Sequence, residues 1–173
     1  MGLKVYLDIK KMKKYLLIAL LACCSVHVFG QSITLNDLIN ISNLANDDAH
    51  NYLVNGKGFK NEYLQEVNGH TVEHLRKIAG NKTQETVIIG EGYKLSNGTT
   101  LRTVTYKSQT PQHLFNLITQ AKSAGLKMNI QGADAANNIY LFDNSFYHIA
   151  VYVNRDNTFG SIEVKQKEFL GFD

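Results

Sequence analysis

The stretch that decides the fold is residues 110–130, which read TPQHLFNLITQAKSAGLKMNI. Thr110 can cap a helix, Pro111 suits the first helical position, and Gly125 suits the residue after the helix. The apolar side chains between them have helical spacing, at Leu114, Leu117, Ile118 and Ala121. From Leu126 onward apolar and polar residues alternate, as a half-buried strand requires. The stretch therefore predicts a helix that passes directly into an antiparallel sheet.

The elements around this stretch occur twice in a similar order. Three further strands are expected after it, at residues 138–143, 146–153 and 161–167. Helices are expected before it at 34–44 and 46–56, and strands at 59–67, 71–78, 85–93 and 100–106. We therefore predict one α+β domain, residues 31–173, made of two tandem units, at about 33–108 and 110–169. Each unit would be a helix or helix pair followed by a four-stranded antiparallel sheet.

This order of elements resembles that of the β-lactamase inhibitor protein family, and also that of small uncharacterised proteins secreted by Gram-negative bacteria. The resemblance covers nearly all of residues 33–169. It is a resemblance of element order and includes no signature motif, so no binding residue of the family carries over to this chain. What it implies is a binding role by analogy.

The start of the chain has the pattern of a secretory signal peptide. Lys13 and Lys14 precede a short apolar run, and Val28 and Gly30 are the small residues of a cleavage site before Gln31. The apolar run is too short for a membrane span, which needs about 20 residues. The pattern predicts a signal peptide at residues 1–30 and export to the periplasm or the cell exterior.

Two alternatives for this start remain open. Leu20 to Cys23 resembles a lipobox, which would place an acylated cysteine at the mature N-terminus, although Leu21 stands where a small residue is usual. Translation from Met12 would give a more ordinary signal peptide and would make the residues before it an artefact of the start site.

Removal of this segment changes the charge balance of the chain. It carries five of the 18 basic residues and one of the 15 acidic residues, which leaves 13 basic against 14 acidic. Such a chain has no basic footprint for nucleic acid or anionic lipid. Cys23 and Cys24, the two cysteines, also lie in this segment, so the mature chain has neither a disulfide nor a thiol nucleophile. We predict no nucleic-acid partner, no membrane span and no cofactor.

One motif is typical of catalysis. Residues 70–74 fit H-x-x-E-H, in which two histidines one helical turn apart bind zinc and the glutamate activates its water. The tandem order instead makes this segment a strand, on which His70 and His74 would lie about 13 Å apart and could not share an ion. A small zinc-dependent hydrolase using His70, Glu73 and His74 is therefore the alternative function.

The strand at 146–153 favours binding instead. Its alternation separates the set of Tyr147, Ile149, Val151 and Val153 from the set of Phe146, His148, Ala150 and Tyr152. The first set should face the helices, and the second should line an open sheet face beside Lys165. Phe146, His148, Tyr152 and Lys165 are the predicted binding residues of a non-enzymatic module for an unknown protein or small ligand in the cell envelope or outside. The alternative is that the sheets of the two units cover each other, or that these aromatic rings are merely partly buried.

Overall fold

The computed structural model describes residues 31–80, 82–90, 92–96 and 100–168. The predicted signal peptide and the middle of the turn expected at 96–98 lie outside these ranges. Within them the chain forms three α-helices, α1 (Leu35–Asn43), α2 (Asn46–Asn51) and α3 (Pro111–Ser123), and a π-helical turn (Tyr52–Gly56) that directly follows α2. Its strands are β1 (Lys60–Val67), β2 (His70–Ile78), β3 (Gln84–Ile89), β4 (Tyr93–Lys94), β5 (Thr100–Leu101), β6 (Thr103–Ser108), β7 (Lys127–Ala133), β8 (Asn137–Asp143), β9 (Tyr147–Asn154) and β10 (Gly160–Gln166).

Eight of these strands form a single antiparallel sheet. Their spatial order is β1-β2-β3-β6-β10-β9-β8-β7, while β4 and β5 form a separate two-stranded ribbon. The predicted fold of two tandem units, each with its own four-stranded sheet, is wrong. The last strands of the two predicted units, β6 and β10, pair with each other from Gly160 opposite Ser108 to Lys165 opposite Thr103.

The helices explain why the predicted units are not separate. Both α1 and α3 pack against β6 and β10, so they cover the place where the two predicted sheets would have ended. The buried apolar side chains of all these elements belong to one cluster. Pairing β6 with β10 also satisfies main-chain groups that two separate sheets would leave exposed at their edges.

Helix α3 begins and ends where the sequence predicts, and it lies very close to the sheet. A Cβ atom built on Gly160 of β10 would lie 2.9 Å from Cγ of Leu114 and 2.9 Å from the carbonyl oxygen of Tyr152. Thr110 precedes the helix, but its side chain makes no capping hydrogen bond, so that part of the expectation is wrong. The main-chain N–H of Thr110 donates instead to Oγ of Ser108 at 3.0 Å.

Helix α1 begins with a capping box. The N–H of Asp37 donates to Oγ1 of Thr34 at 3.2 Å, and the N–H of Thr34 donates to the Asp37 carboxylate at 2.8 Å. The same carboxylate accepts hydrogen bonds from Lys57 at 2.8 Å and from the hydroxyl of Tyr52. Burial alone would raise the pKa of Asp37, but these hydrogen bonds outweigh it, and its pKa lies below the ordinary value. Asp37 thus links α1 to the π-helical turn.

The described helices leave one face of the sheet uncovered. Along β3, β6, β9 and β10 the buried side chains alternate with more exposed ones, as expected when helices pack on a single face. Among the described residues, no helix is both long and apolar enough to cross a bilayer.

Candidate functional site

Strand β9 places its side chains as the alternation predicts. Ile149, Val151 and Val153 are at most 1% exposed and lie on the helix side of the sheet. His148 is exposed and Tyr152 is half-buried, and both lie on the uncovered face. The aromatic and apolar side chains on this side of β9 therefore belong to a surface that the described helices do not cover.

Three of the four predicted binding residues share this face. Lys165 lies directly opposite His148 in the β9–β10 pairing, and Tyr152 lies opposite Ser161 farther along the same pair. Phe146 precedes β9 in the β8–β9 turn, is 52% exposed, and has its ring 6.5 Å from that of Tyr147. The structure thus brings His148 and Lys165 together and leaves Phe146 at the rim.

Two shallow grooves lie on the uncovered face. The first groove has a volume of about 290 Å³, and its apolar wall includes Ile130, Leu141 and Ala150. Its polar lining is Asn129, Asp143, His148, Glu163 and Lys165. The second groove, also of about 290 Å³, has an apolar wall of Val67, Val72 and Leu101, and its lining also includes Lys165. Lys165 is therefore common to both grooves.

Some charged side chains around the first groove form ion pairs, and others do not. Asp143 lies 2.5 Å from Nζ of Lys167 and 2.8 Å from Nδ1 of His148. The hydrogen bond from Lys167, with the nearby charges, lowers the pKa of Asp143 below its ordinary value. Lys165 and Glu163 form no ion pair within the part of the chain that the structure describes. The groove thus has one internally neutralised carboxylate, that of Asp143, and two charged groups unpaired among the described residues, the ammonium group of Lys165 and the carboxylate of Glu163.

The H-x-x-E-H residues lie on strand β2, as predicted, and not on a helix. His74 lies on the uncovered face, where its ring stacks on Tyr63 at 4.2 Å between centroids. Glu73 lies on the opposite face and is 2.5 Å from Nδ1 of His50 in α2. In the described ranges no group of three or more His, Cys, Asp or Glu side chains is placed to hold a metal. The geometry that the alternative hydrolase needs is therefore not present in β2.

A buried polar cluster was not expected from the sequence. Glu85 accepts hydrogen bonds from the hydroxyl of Tyr106 at 2.9 Å and from Oγ of Ser32 at 3.2 Å. Nδ1 of His113 lies 3.0 Å from the Tyr106 hydroxyl and 3.1 Å from Oγ of Ser108. Burial, and then the charge of Glu85, raises the pKa of Tyr106. In β3, Glu85 is two residues before the buried Val87, so strand alternation places both side chains on the same face of the sheet. This alternation is the sequence feature that could have predicted the burial of Glu85.

The Ser108–His113 contact has the composition of a nucleophile and its base. Ser108 is 1% exposed and His113 is 8% exposed, so a substrate could not reach them without opening the core. The cluster instead joins β3, β6, the start of α3 and Ser32, which lies three residues before α1. We interpret it as a structural network.

Comparison with known proteins returns no match: no protein-family model, no curated protein and no solved structure is similar to this chain. The resemblance in element order to the β-lactamase inhibitor protein family is therefore neither supported nor refuted by these comparisons. Assignment of a function depends on the geometry of the uncovered face.

Proposed function

We propose that the chain is a protein-binding module and that the uncovered sheet face is its binding surface. The observation that carries this proposal is the pair of apolar grooves that meet at Lys165. Because strands of both predicted units belong to the same eight-stranded sheet, neither unit has a separate four-stranded sheet that could cover this face within the described residues. The alternative in which two sheets bury each other's aromatic side chains therefore does not account for it.

The chemistry of the grooves indicates the kind of partner. Their walls carry Ile130, which is 54% exposed, and Val67, which is 41% exposed. Removing such surfaces from water favours association with apolar side chains. The ammonium group between them favours a carboxylate. The partner that fits is a protein loop with a carboxylate between two apolar side chains.

Photo-crosslinking in the native cells tests the location of the surface. A photoreactive amino acid would replace Ala150, in the first groove, or Thr119, which is exposed on α3 behind the sheet. We expect one protein adduct from position 150 and not from position 119. No adduct at 150, or the same adducts from both positions, would contradict the proposed surface.

A charge reversal tests the chemistry of the partner. Lys165→Glu should abolish the adduct formed at position 150, because it places a carboxylate against the partner's own. Lys122→Glu is the matched control, since Lys122 is exposed in the last turn of α3. Equal adduct yields from both charge variants would show that Lys165 makes no contribution.

We further propose that this binding takes place after export, on a chain that begins at Gln31. The support is the leader pattern that ends at Val28 and Gly30. Intact mass of the protein isolated from the cell envelope or medium should correspond to residues 31–173. A mass corresponding to acylation at Cys23 would replace this proposal with a lipoprotein.

A further inference from the structure

Strand β1 forms an exposed edge of the eight-stranded sheet. It pairs with β2 on one side, and all eight of its residues are exposed. Tyr63 is 49% exposed, Leu64 64% and Val67 41%. Among the described residues, no strand pairs with the outer side of β1, so the main-chain groups on that side can pair with another strand.

The second half of β1 has regular geometry. Its bulge is confined to Asn61–Tyr63, and Tyr63–Val67 pairs without interruption against His70–His74. The hairpin loop is Asn68-Gly69, with φ values of 54° and 79°, which is a two-residue turn with both φ positive. In such a hairpin the residues that flank the loop exchange main-chain hydrogen bonds, and the alternation continues along the strand.

This alternation decides which groups are available to a partner. The main-chain N–H and C=O groups of Val67, Gln65 and Tyr63 point toward β2. Those of Leu64 and Glu66 point away from the sheet. An antiparallel partner strand must therefore place its own outward-pointing residues opposite Leu64 and Glu66.

We propose that the occupant is β1 of a second copy of this chain, in a two-fold arrangement centred on Gln65. Leu64 of one copy then lies opposite Glu66 of the other, which forms four main-chain hydrogen bonds. Tyr63 lies opposite Val67 on the same face, twice, as a pair of aromatic and β-branched side chains. The strand is therefore complementary to itself in this register.

Neighbouring two-fold registers are worse. A centre at Leu64 would place Glu62 opposite Glu66 of the other copy, and a centre at Glu66 would place that residue opposite itself. Carboxylates directly opposite each other destabilise strand pairing. The other sheet edge, β7, has a bulge between Met128 and Ile130 and a glycine at position 132, so it offers a shorter regular segment.

Disulfide crosslinking tests the register directly. In a chain with Cys23→Ser and Cys24→Ser, Gln65→Cys introduces the sole thiol. The two Cα atoms at position 65 would be about 4.5 Å apart, within the range of about 4.4 to 6.8 Å that a disulfide spans. With oxidised glutathione we expect a covalent dimer from Gln65→Cys.

Leu64→Cys is the matched control on the same strand. Its two thiols would be displaced by two residues along the paired strands, with Cα atoms roughly 8 Å apart, so little crosslinking is expected. Equal crosslinking at positions 64 and 65, or none at either position, would overturn the proposed register.

Charged variants at Leu64 test the association without a covalent bond. In the variant Leu64→Lys, an ammonium group would face the carboxylate of Glu66 of the other copy. In the variant Leu64→Glu, a second carboxylate would face it. Sedimentation velocity over a concentration series should show dimerisation about tenfold stronger for Leu64→Lys than for Leu64→Glu. The same two substitutions at Phe159, which is 40% exposed in the β9–β10 turn, should not differ.

Two results of the sedimentation experiments would refute the proposed dimer. A monomer at every concentration for the original chain and for Leu64→Lys would refute the dimer. A dimer with equal affinity in both Leu64 variants would place the contact on another surface and would also refute the proposal.

Discussion

Tyr106 holds two ionisable side chains of the buried cluster in place. Its hydroxyl donates to Glu85 at 2.9 Å and lies 3.0 Å from Nδ1 of His113. Tyr106→Phe keeps the ring and leaves Glu85 with one donor fewer in a site that is 2% exposed. We expect a loss of about 1 to 3 kcal/mol in the free energy of unfolding, measured by urea titration.

Tyr140→Phe provides the control for this change. The ring of Tyr140 is half-buried and packs against the same core. Its hydroxyl makes no hydrogen bond to the described residues, so its removal should change stability by less than about 0.5 kcal/mol. Equal effects of the two substitutions would show that the Tyr106 hydroxyl contributes nothing to stability.

His113 should make the stability of the protein depend on pH. Burial lowers its pKa, and the opposing charge of Glu85 does not restore it. The unfolded chain therefore binds a proton at a higher pH than the folded chain does. Stability should fall as the pH decreases below about 6.5, until the folded protein also binds that proton.

The variant His113→Gln isolates this contribution. Urea titrations at about pH 7.5 and about pH 5 should show a smaller loss of stability for the variant than for the original chain. The quantity to compare is the difference between the free energies of unfolding at the two pH values. The substitution also removes hydrogen bonds of His113, but it does so at both pH values. An unchanged difference would mean that His113 binds its proton equally in the folded and unfolded chains.

The two faces of β9 should respond differently to truncation. Ile149 is 1% exposed beneath the helices, and Tyr152 is half-buried on the uncovered face. Ile149→Ala should cost about 2 to 5 kcal/mol of unfolding free energy, the usual range for removing a buried aliphatic side chain. Tyr152→Ala should cost much less in the same urea titration and should weaken partner binding instead.

Similar losses of stability from Ile149→Ala and Tyr152→Ala would indicate that both faces of the strand are buried. The proposed binding surface would then have to be abandoned. A large effect of Tyr152→Ala on binding alone would agree with its position beside the first groove.

Local patterns predicted the individual elements well. Alternation identified β9 and its two faces, and Pro111 and Gly125 marked the ends of α3. These features depend on neighbours within a few residues, which a sequence displays directly. The strand expected at 85–93 was too long, because β3 ends at Ile89 and Tyr93 belongs to the separate ribbon.

The arrangement of the elements depended on contacts that local patterns do not display. The pairing of Ser108 with Gly160 joins residues 52 positions apart, and nothing in either strand specifies the other. For the same reason the sequence indicated His148 and Lys165 as site residues but did not show that Val67 and Ile130 line grooves meeting at Lys165. Grooves of this kind exist once several strands are brought side by side.

The continuous sheet predicts how the whole molecule unfolds. Helices α1 and α3 cover the β6–β10 pairing, and the buried apolar residues form one cluster, so neither half of the sheet keeps a core without the other. We expect one cooperative transition, as is usual for single domains of this size. Calorimetric and van't Hoff enthalpies of thermal unfolding should agree.

Substitutions on the two sides of the β6–β10 pairing test whether the sheet unfolds as one unit. Val87 in β3 and Ile149 in β9 are both at most 1% exposed, on opposite sides of the β6–β10 pairing. Exchange from the core requires global opening. Val87→Ala should therefore lower the protection free energy of amides in β2 and in β8 by equal amounts, and so should Ile149→Ala. If each substitution affected the amides on its own side alone, the chain would behave as two separately folding units. The join at β6 and β10 would then be a docking contact between two cores and not part of one core.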